Sequence, residues 1–235
     1  MINAIIIIGS IAFFIYYLKG LKNTKFNAKI IVTIGMFSAI SYILSMIEFI
    51  KYPQGGGISL FSMLPTMLLS VLCGNTVGIT GGLLYGLLKL LKGAYIIHPA
   101  QFLLDYILPT MLLGLAGTFG KEKKSKVILG CLFALVLSVS MNIISGCVFF
   151  GQYVPKGMNI FVYSFLYNVS SVGVEGLLST IIISILPLNR FNKALNLGNN
   201  KRRCIKFTLY ISFFITNFYK YYLAKLFKNN TLESM

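Results

Sequence analysis

Apolar runs near 20 residues long recur along this chain of 235 residues. A run of that length, wound into an α-helix, satisfies its own backbone hydrogen bonds and crosses the hydrocarbon core of a bilayer. The pattern therefore predicts an all-α, polytopic membrane protein. Composition agrees: 57% of the residues are hydrophobic, 11% are charged, and mean hydropathy is +0.81. Those values lie far outside the soluble average. The net charge is +16. On a soluble protein that excess would suggest nucleic acid. Here it reads as an orientation signal and as contact with anionic membrane lipid, with no nucleic-acid partner. Cys73, Cys131, Cys147 and Cys204 have no CxxC spacing and sit mostly in apolar runs. They read as small buried hydrophobes, not as a metal site or a disulfide frame.

Taken in order, Ile2 to Leu18 is the first run. No positive charge precedes it and no small-residue cleavage site follows, so it reads as a retained anchor. This predicts an extra N-terminal transmembrane helix over 1–20, followed by Lys19, Lys22, Lys25 and Lys29. A six-helix transmembrane core is predicted over 27–190. Its first helix, Ile30 to Ile50, carries Gly35 and Ala39 at small-xxx-small spacing. Such a stripe serves either a partner helix or ordinary packing in the same bundle. A loop at Lys51 to Gly57 precedes a short helix from Ser59 to Cys73. A glycine-rich helix runs from Thr76 to Leu91. Further helices are expected over Pro99–Phe119, Val127–Phe150 and Asn159–Leu186. A last apolar stretch predicts a C-terminal helix over 204–228, interfacial or transmembrane.

Fourteen of the 21 basic residues fall in three clusters: Lys19 to Lys29, Lys121 to Lys126 and Arg190 to Lys206. Six helices between Ile30 and Leu186 place all three on one side, which the positive-inside rule makes cytoplasmic. The loops at Gly55, Gly93 and Gly151 then share the outer side. A pocket opening outward follows.

Tyr85 to Tyr106 is the stretch that points to function. It is mostly apolar, yet holds His98, Gln101 and Asp105. Gln101 and Asp105 are four apart and share a helix face. A carboxylate at membrane depth is costly and marks a functional site by default. Pro99 suits the first turn of a helix. Polar groups that can contact a ligand are Gln101, Asp105, Asn142, Ser145, Tyr163, Tyr167, Asn168 and Glu175, while Tyr85, Tyr95, Tyr106 and Phe150 can stack on a ring. Glu48 and Glu175 are weaker candidates, and Glu175 has no evident partner. Catalytic sets are missing: one His, no HExxH, no GxSxG and no phosphate-binding loop. No enzyme activity, metal or cofactor is expected, and the chain has no means of its own to use ATP.

Four segments in order, PQGGGIS (Pro53 to Ser59), HPAQFLLDY (His98 to Tyr106), ISGCVFFGQYVPKG (Ile144 to Gly157) and YSFLYN (Tyr163 to Asn168), resemble the thiamine-specific substrate-binding subunits of energy-coupling factor (ECF) transporters, the ThiT/YuaJ family. The resemblance covers roughly Ala28 to Leu188. It implies six transmembrane helices with thiamine (vitamin B1) bound near the outer face of a bacterial cell membrane. It also implies uptake with a transmembrane coupling subunit and two ATPase subunits. Asp105 stands at the family's acidic binding position, and Tyr163 and Asn168 match its Tyr and Asn ligands. Tyr95, Gln101 and Tyr106 match positions lining the site. Departures are Asn142, where many members have His, and Tyr85 and Phe150, where some have Trp. The Gly35–Ala39 stripe would be a contact for the coupling partner. The alternative is a stand-alone proton-coupled carrier of thiamine or a related cationic heterocycle, with Asp105 or Glu175 as relay. The lack of a second homologous half argues against it.

Overall fold

The computed structural model describes residues 2–52 and 57–187. Helix α1 (Ile2–Asn23) is followed by α2 (Ala28–Met46). Asn27 begins α2 from extended backbone, its side chain accepting from the Ile30 amide at 2.9 Å, which satisfies one of the orphan donors of a helix start. Two short strands follow, β1 (Glu48–Lys51) and β2 (Gly57–Ser59), paired antiparallel with Ile50 opposite Ile58. Then come α3 (Met63–Cys73) and α4 (Asn75–Lys89). Helix α5 (Pro99–Phe102), a π-helical turn (Leu103–Ile107) and α6 (Leu108–Leu113) run on as one rod. Helix α7 (Lys124–Phe149) is continuous. A last rod joins α8 (Ile160–Asn168), a second π-helical turn (Val169–Gly173) and α9 (Val174–Ile185).

After α1 the described residues thus form six helical rods, the core expected from the sequence. Ala28–Met46, Lys124–Phe149 and Ile160–Ile185 are long and apolar enough to cross a membrane. Three boundaries differ from the sequence expectation. The helix expected to reach Ile50 ends at Met46, because Glu48–Lys51 pairs as a strand. The helix expected from Ser59 begins at Met63, because residues 57–59 are held in the ribbon by strand pairing. The helix expected to reach Phe119 ends at Leu113 and continues as turns. The C-terminal helix expected over 204–228 lies outside the described residues.

Helix α4 sits at the centre, packed on α2, α3 and α6. Glycine makes that possible. A Cβ on Gly82 would run into the Thr110 carbonyl, and one on Gly86 into the Tyr106 carbonyl. Small residues let membrane helices approach to backbone contact, where dispersion and polar groups hold them. Met67, Leu69, Ile79, Leu104, Met111 and Leu113 fill the space between rods. Ile31, Val32 and Ile43 of α2, Leu129 and Val136 of α7, and Ile181 and Ile185 of α9 face outward, as lipid-facing side chains do.

The contacts also give the bundle two distinct ends. Gly20 lies against Thr76, Asn75 Nδ2 donates to Thr118 Oγ1 at 3.0 Å, and Lys121 Nζ donates to the Leu72 carbonyl at 3.4 Å. The basic segments Lys19–Lys29 and Lys121–Lys126 therefore share one end with the turn at Gly74. The third cluster, Arg190 to Lys206, lies outside the described residues. The strand ribbon, the turn at Gly93 and Tyr153 border a cavity at the opposite end.

Replacing Gly82 by Ala is expected to destabilise the bundle by about 1–3 kcal/mol, since the Thr110 carbonyl cannot step aside. That loss outweighs the roughly 0.5–1 kcal/mol that Ala gains over Gly in helix propensity. Gly35→Ala, where nothing lies within 4 Å of the new methyl, serves as the control. Thermal unfolding in detergent reads both. Equal melting temperatures for the two variants would show that α4 and α6 separate freely.

Candidate ligand-binding site

A cavity of about 440 Å³ lies at the ribbon end of the bundle, within the roughly 300–1,000 Å³ usual for small-molecule sites. It is lined by Asp105, Tyr163, Asn168, Asn142, Gln101, Tyr95, Tyr106, Tyr85 and Phe150 together. Tyr167 and Glu175 line it as well, so of the twelve ligand-contact candidates read from the sequence all but Ser145 border one space. Each π-helical turn carries or adjoins some of them. π-helical turns inside α-helices concentrate at functional sites.

Gln101 is 1% exposed, and three bonds commit its amide. Its Oε1 accepts from the Ile97 amide at 2.9 Å. Its Nε2 donates to the Tyr95 carbonyl at 3.0 Å and to Asp105 Oδ2 at 2.8 Å. Gln101 therefore pins the 95–97 segment to the helix and orients the Asp105 carboxylate. The bond to Asp105 is the shared helix face expected from their spacing. His98 Nδ1 accepts from the Ala100 amide at 3.1 Å and its ring stacks on Phe149 at 5.4 Å, so it caps α5. Tyr95 donates its amide to the Tyr106 hydroxyl at 3.2 Å. The Tyr153 hydroxyl beside Tyr95 raises the Tyr95 phenol above its ordinary pKa. The buried Ser145 hydroxyl faces Asp105. It makes no hydrogen bond of good geometry to a described group. Half-buried Asp105 thus meets one firm donor among the described residues, fewer than a carboxylate can accept.

Across the cavity, Asn168 Nδ2 donates to the Ser164 carbonyl at 2.9 Å and to the Asn142 carbonyl at 3.4 Å. Gly146 makes that approach possible, since a Cβ there would meet Ser164 Oγ. Asn142 donates from Nδ2 to the Ser138 carbonyl at 3.3 Å. Tyr163 stacks on Tyr167 at 6.1 Å, Tyr167 meets Tyr52 of the ribbon at 5.3 Å, and Phe150 meets Tyr153 at 6.1 Å. Of these rings Phe150, Tyr153, Tyr163 and Tyr167 border the cavity.

Glu175 has the partners that its sequence surroundings hid. It is 4% exposed. Its Oε1 accepts from the Ser62 amide at 2.8 Å and the Ser62 hydroxyl at 2.6 Å. Its Oε2 accepts from the Ser59 hydroxyl at 2.8 Å and the Ser59 amide at 3.2 Å. Ser62 precedes α3 and makes no side-chain cap of its own, so Glu175 caps α3 from α9, where a carboxylate also answers the helix dipole. Tyr85, 2% exposed, donates its hydroxyl to Ser62 Oγ at 2.9 Å and extends the chain of bonds. Its hydroxyl is therefore structural, while its ring lines the cavity.

Sequence reasoning missed Ser59, Ser62 and Lys89 as cavity residues. The serines carried no signal beyond a turn. Lys89 gave no signal beyond that of a basic residue near a helix end. Lys92 pairs with Glu48 and donates to the Ser45 carbonyl at 2.7 Å. On α2, Ser38 Oγ donates to the Gly81 carbonyl at 2.9 Å and Ser41 meets Thr66 at 3.2 Å, so these face inward. Ala39 is exposed, and a Cβ on Gly35 would find open space. No group of three His, Cys, Asp or Glu side chains comes together among the described residues. Aromatic faces, one under-satisfied carboxylate and spare amide groups suit a planar, cationic, hydrogen-bonding ligand.

Glu175→Gln keeps the size of the side chain but turns an NH₂ toward a serine donor. An unsatisfied buried pair of this kind costs about 1–3 kcal/mol. A lowered melting temperature in detergent is expected for Glu175→Gln. A melting temperature equal to the wild type would show that the four bonds do not hold α3 to α9.

The family model described as Thiamine transporter protein (Thia_YuaJ) matches residues 31–195. The match begins inside α2 and leaves α1 outside it. The thiamine transporter ThiT of Bacillus subtilis (strain 168) is 32% identical over 171 residues, which are 66% of this chain and 88% of that protein. The thiamine transporter ThiT of Lacticaseibacillus paracasei is 28% identical over 142 residues, 54% of this chain and 71% of that one. The solved structure of ThiT from Listeria monocytogenes superposes with a TM-score of 0.59 at 29% identity, covering 67% of this chain and 92% of that one. With more than half its length matched by the family and a curated relative above 30% identity, this chain is a membrane protein of the Thia_YuaJ thiamine transporter family, a family of transporters and not of enzymes.

Proposed function

We propose that this chain captures thiamine at the outer face of a bacterial plasma membrane, as the multi-pass, substrate-specific subunit of an energy-coupling factor transporter. The observation that carries the reading is Asp105, a carboxylate in an aromatic cavity with one firm donor, from Gln101. Thiamine joins a cationic thiazolium to an aminopyrimidine. Asp105 takes the positive charge. Tyr106 and Tyr163 offer faces for the rings, and Asn168 and Asn142 offer amide groups to the pyrimidine. A buried hydrogen-bonded charge pair gains most when water is excluded from it. The basic segments at the opposite end from the cavity support an outward-facing mouth.

Family membership supports the same reading, as do relatives whose names are thiamine transporter ThiT. Transport itself is assigned to partners: a transmembrane coupling subunit and two ATPase subunits. The sequence supports this by lacking a phosphate-binding loop. The coupling subunit seats on the Gly35–Ala39 stripe of α2, which looks outward from the bundle.

Titration calorimetry of thiamine into the purified protein tests binding. Asp105→Asn is expected to lose about 2–5 kcal/mol of binding free energy while the melting temperature holds. An unchanged dissociation constant would remove Asp105 from the site. Proteoliposomes test the partners. Vesicles holding this chain alone are expected to take up no thiamine, and uptake should begin when coupling and ATPase subunits are added with ATP. Uptake driven by a proton gradient through this chain alone would establish a secondary carrier instead.

A further inference from the structure

The cavity holds a positive charge as well as negative ones. Lys89, in the last turn of α4, lines it. Its Nζ lies 5.8 Å from the centre of the Tyr85 ring and 6.0 Å from that of Tyr106, the distance at which a cation interacts with an aromatic face, about 6 Å. The carboxylates that attract it are Glu175 and Asp105. Among the described residues no hydrogen bond or ion pair holds it, whereas its neighbour Lys92 is fixed by Glu48 and Ser45. Glu175 is already occupied by the two serines. An ammonium thus rests over two ring faces and in the field of Asp105, without a fixed partner.

That position is the one a thiazolium needs. The charged cavity residues are Glu48, Asp105 and Glu175 against Lys89 and Lys92, a balance of one negative charge when all are ionised. A monocation that takes the place of the Lys89 ammonium leaves that balance unchanged, whereas a neutral ligand in its place raises it to two negative charges. We propose that Lys89 is a stand-in cation. Before thiamine binds, its ammonium holds the tyrosine faces beside Asp105, and thiamine enters by displacing it toward solvent along its flexible stem. The inference rests on the thiamine reading above and adds a basis for selectivity. A cationic ring replaces the charge that it removes. A neutral ring leaves the Asp105 charge without a cation beside it, and burying an uncompensated charge is costly. The displaced lysine also repels the cation that replaced it, so affinity for thiamine is held below what Asp105 alone would give.

Calorimetry with two ligands tests this: thiamine, and its neutral isostere with a thiophene in place of the thiazolium. The proteins are the wild type, Lys89→Met, Lys89→Gln and Lys89→Arg, each checked by thermal unfolding. Lys89→Met and Lys89→Gln are expected to bind both ligands more tightly, because neither ligand then has an ammonium to displace, and thiamine by the larger factor, about tenfold, because it alone is also relieved of like-charge repulsion. Lys89→Arg, which keeps the charge, should stay near the wild type. Weaker thiamine binding in the Met and Gln variants would mean that Lys89 donates to the ligand directly, and would overturn the proposal. No change for either ligand, or a larger gain for the neutral isostere than for thiamine, would overturn it as well. If Met does not fold, Gln decides between these outcomes. Failure of the thiamine reading itself shows separately, as a wild type that binds neither ligand.

Discussion

A carboxylate set in an apolar bundle needs donors, a cation or a proton, and this structure resolves that demand in two ways, for buried Glu175 and for half-buried Asp105. Glu175 is saturated: four bonds from Ser59 and Ser62 surround it, and it ties the start of α3 to α9. Asp105 is not. Among the described residues its one hydrogen-bond donor of good geometry is Gln101, with the Ser145 hydroxyl close by. The first arrangement stabilises a fold, because a satisfied carboxylate is no longer an electrostatic liability. The second leaves a site with unspent attraction for a cation. The same residue type therefore serves structure in one rod and binding in another, and the difference lies in the donors each one meets.

Packing makes that difference possible. Gly82 and Gly86 let α4 approach the Tyr106–Thr110 backbone closely, which brings Tyr85 and Lys89 to the same cavity as Asp105. Gly146 does the same for α7 and α8, so Asn168 can reach the Asn142 carbonyl. Between these close contacts the two π-helical turns widen the backbone beside the cavity. The bundle is tight where glycines meet carbonyls and open where aromatic and amide side chains face one another.

Much of this was legible in the sequence. Apolar runs gave the rods, and the polar residues interrupting them gave the cavity wall. Gln101 and Asp105 could be paired because four residues on a helix is a local relation. The rest depended on long-range geometry. Ser59 and Ser62 lie more than 110 positions from Glu175, so nothing near Glu175 announced its partners. The ribbon at Glu48–Ser59 was hidden because its strands are three and four residues long, too short for a period to show. The π-helical turns have no pattern distinct from an α-helix in apolar sequence. Gly35 and Ala39 were readable as a small-residue stripe, but only the fold shows that Ser38 and Ser41 turn inward while the stripe turns out.

Position is what binding alone does not report, and a crystal structure of the purified protein grown with thiamine reports it directly. The expected result is density for the vitamin inside the cavity, its thiazolium within about 4–6 Å of the Asp105 carboxylate, the range in which opposite charges couple strongly, and the Lys89 ammonium moved away from Tyr85 and Tyr106. Thiamine seated elsewhere on the bundle, or in the cavity with its cation turned away from Asp105, would contradict the central claim that this carboxylate is kept under-satisfied for a cationic ligand.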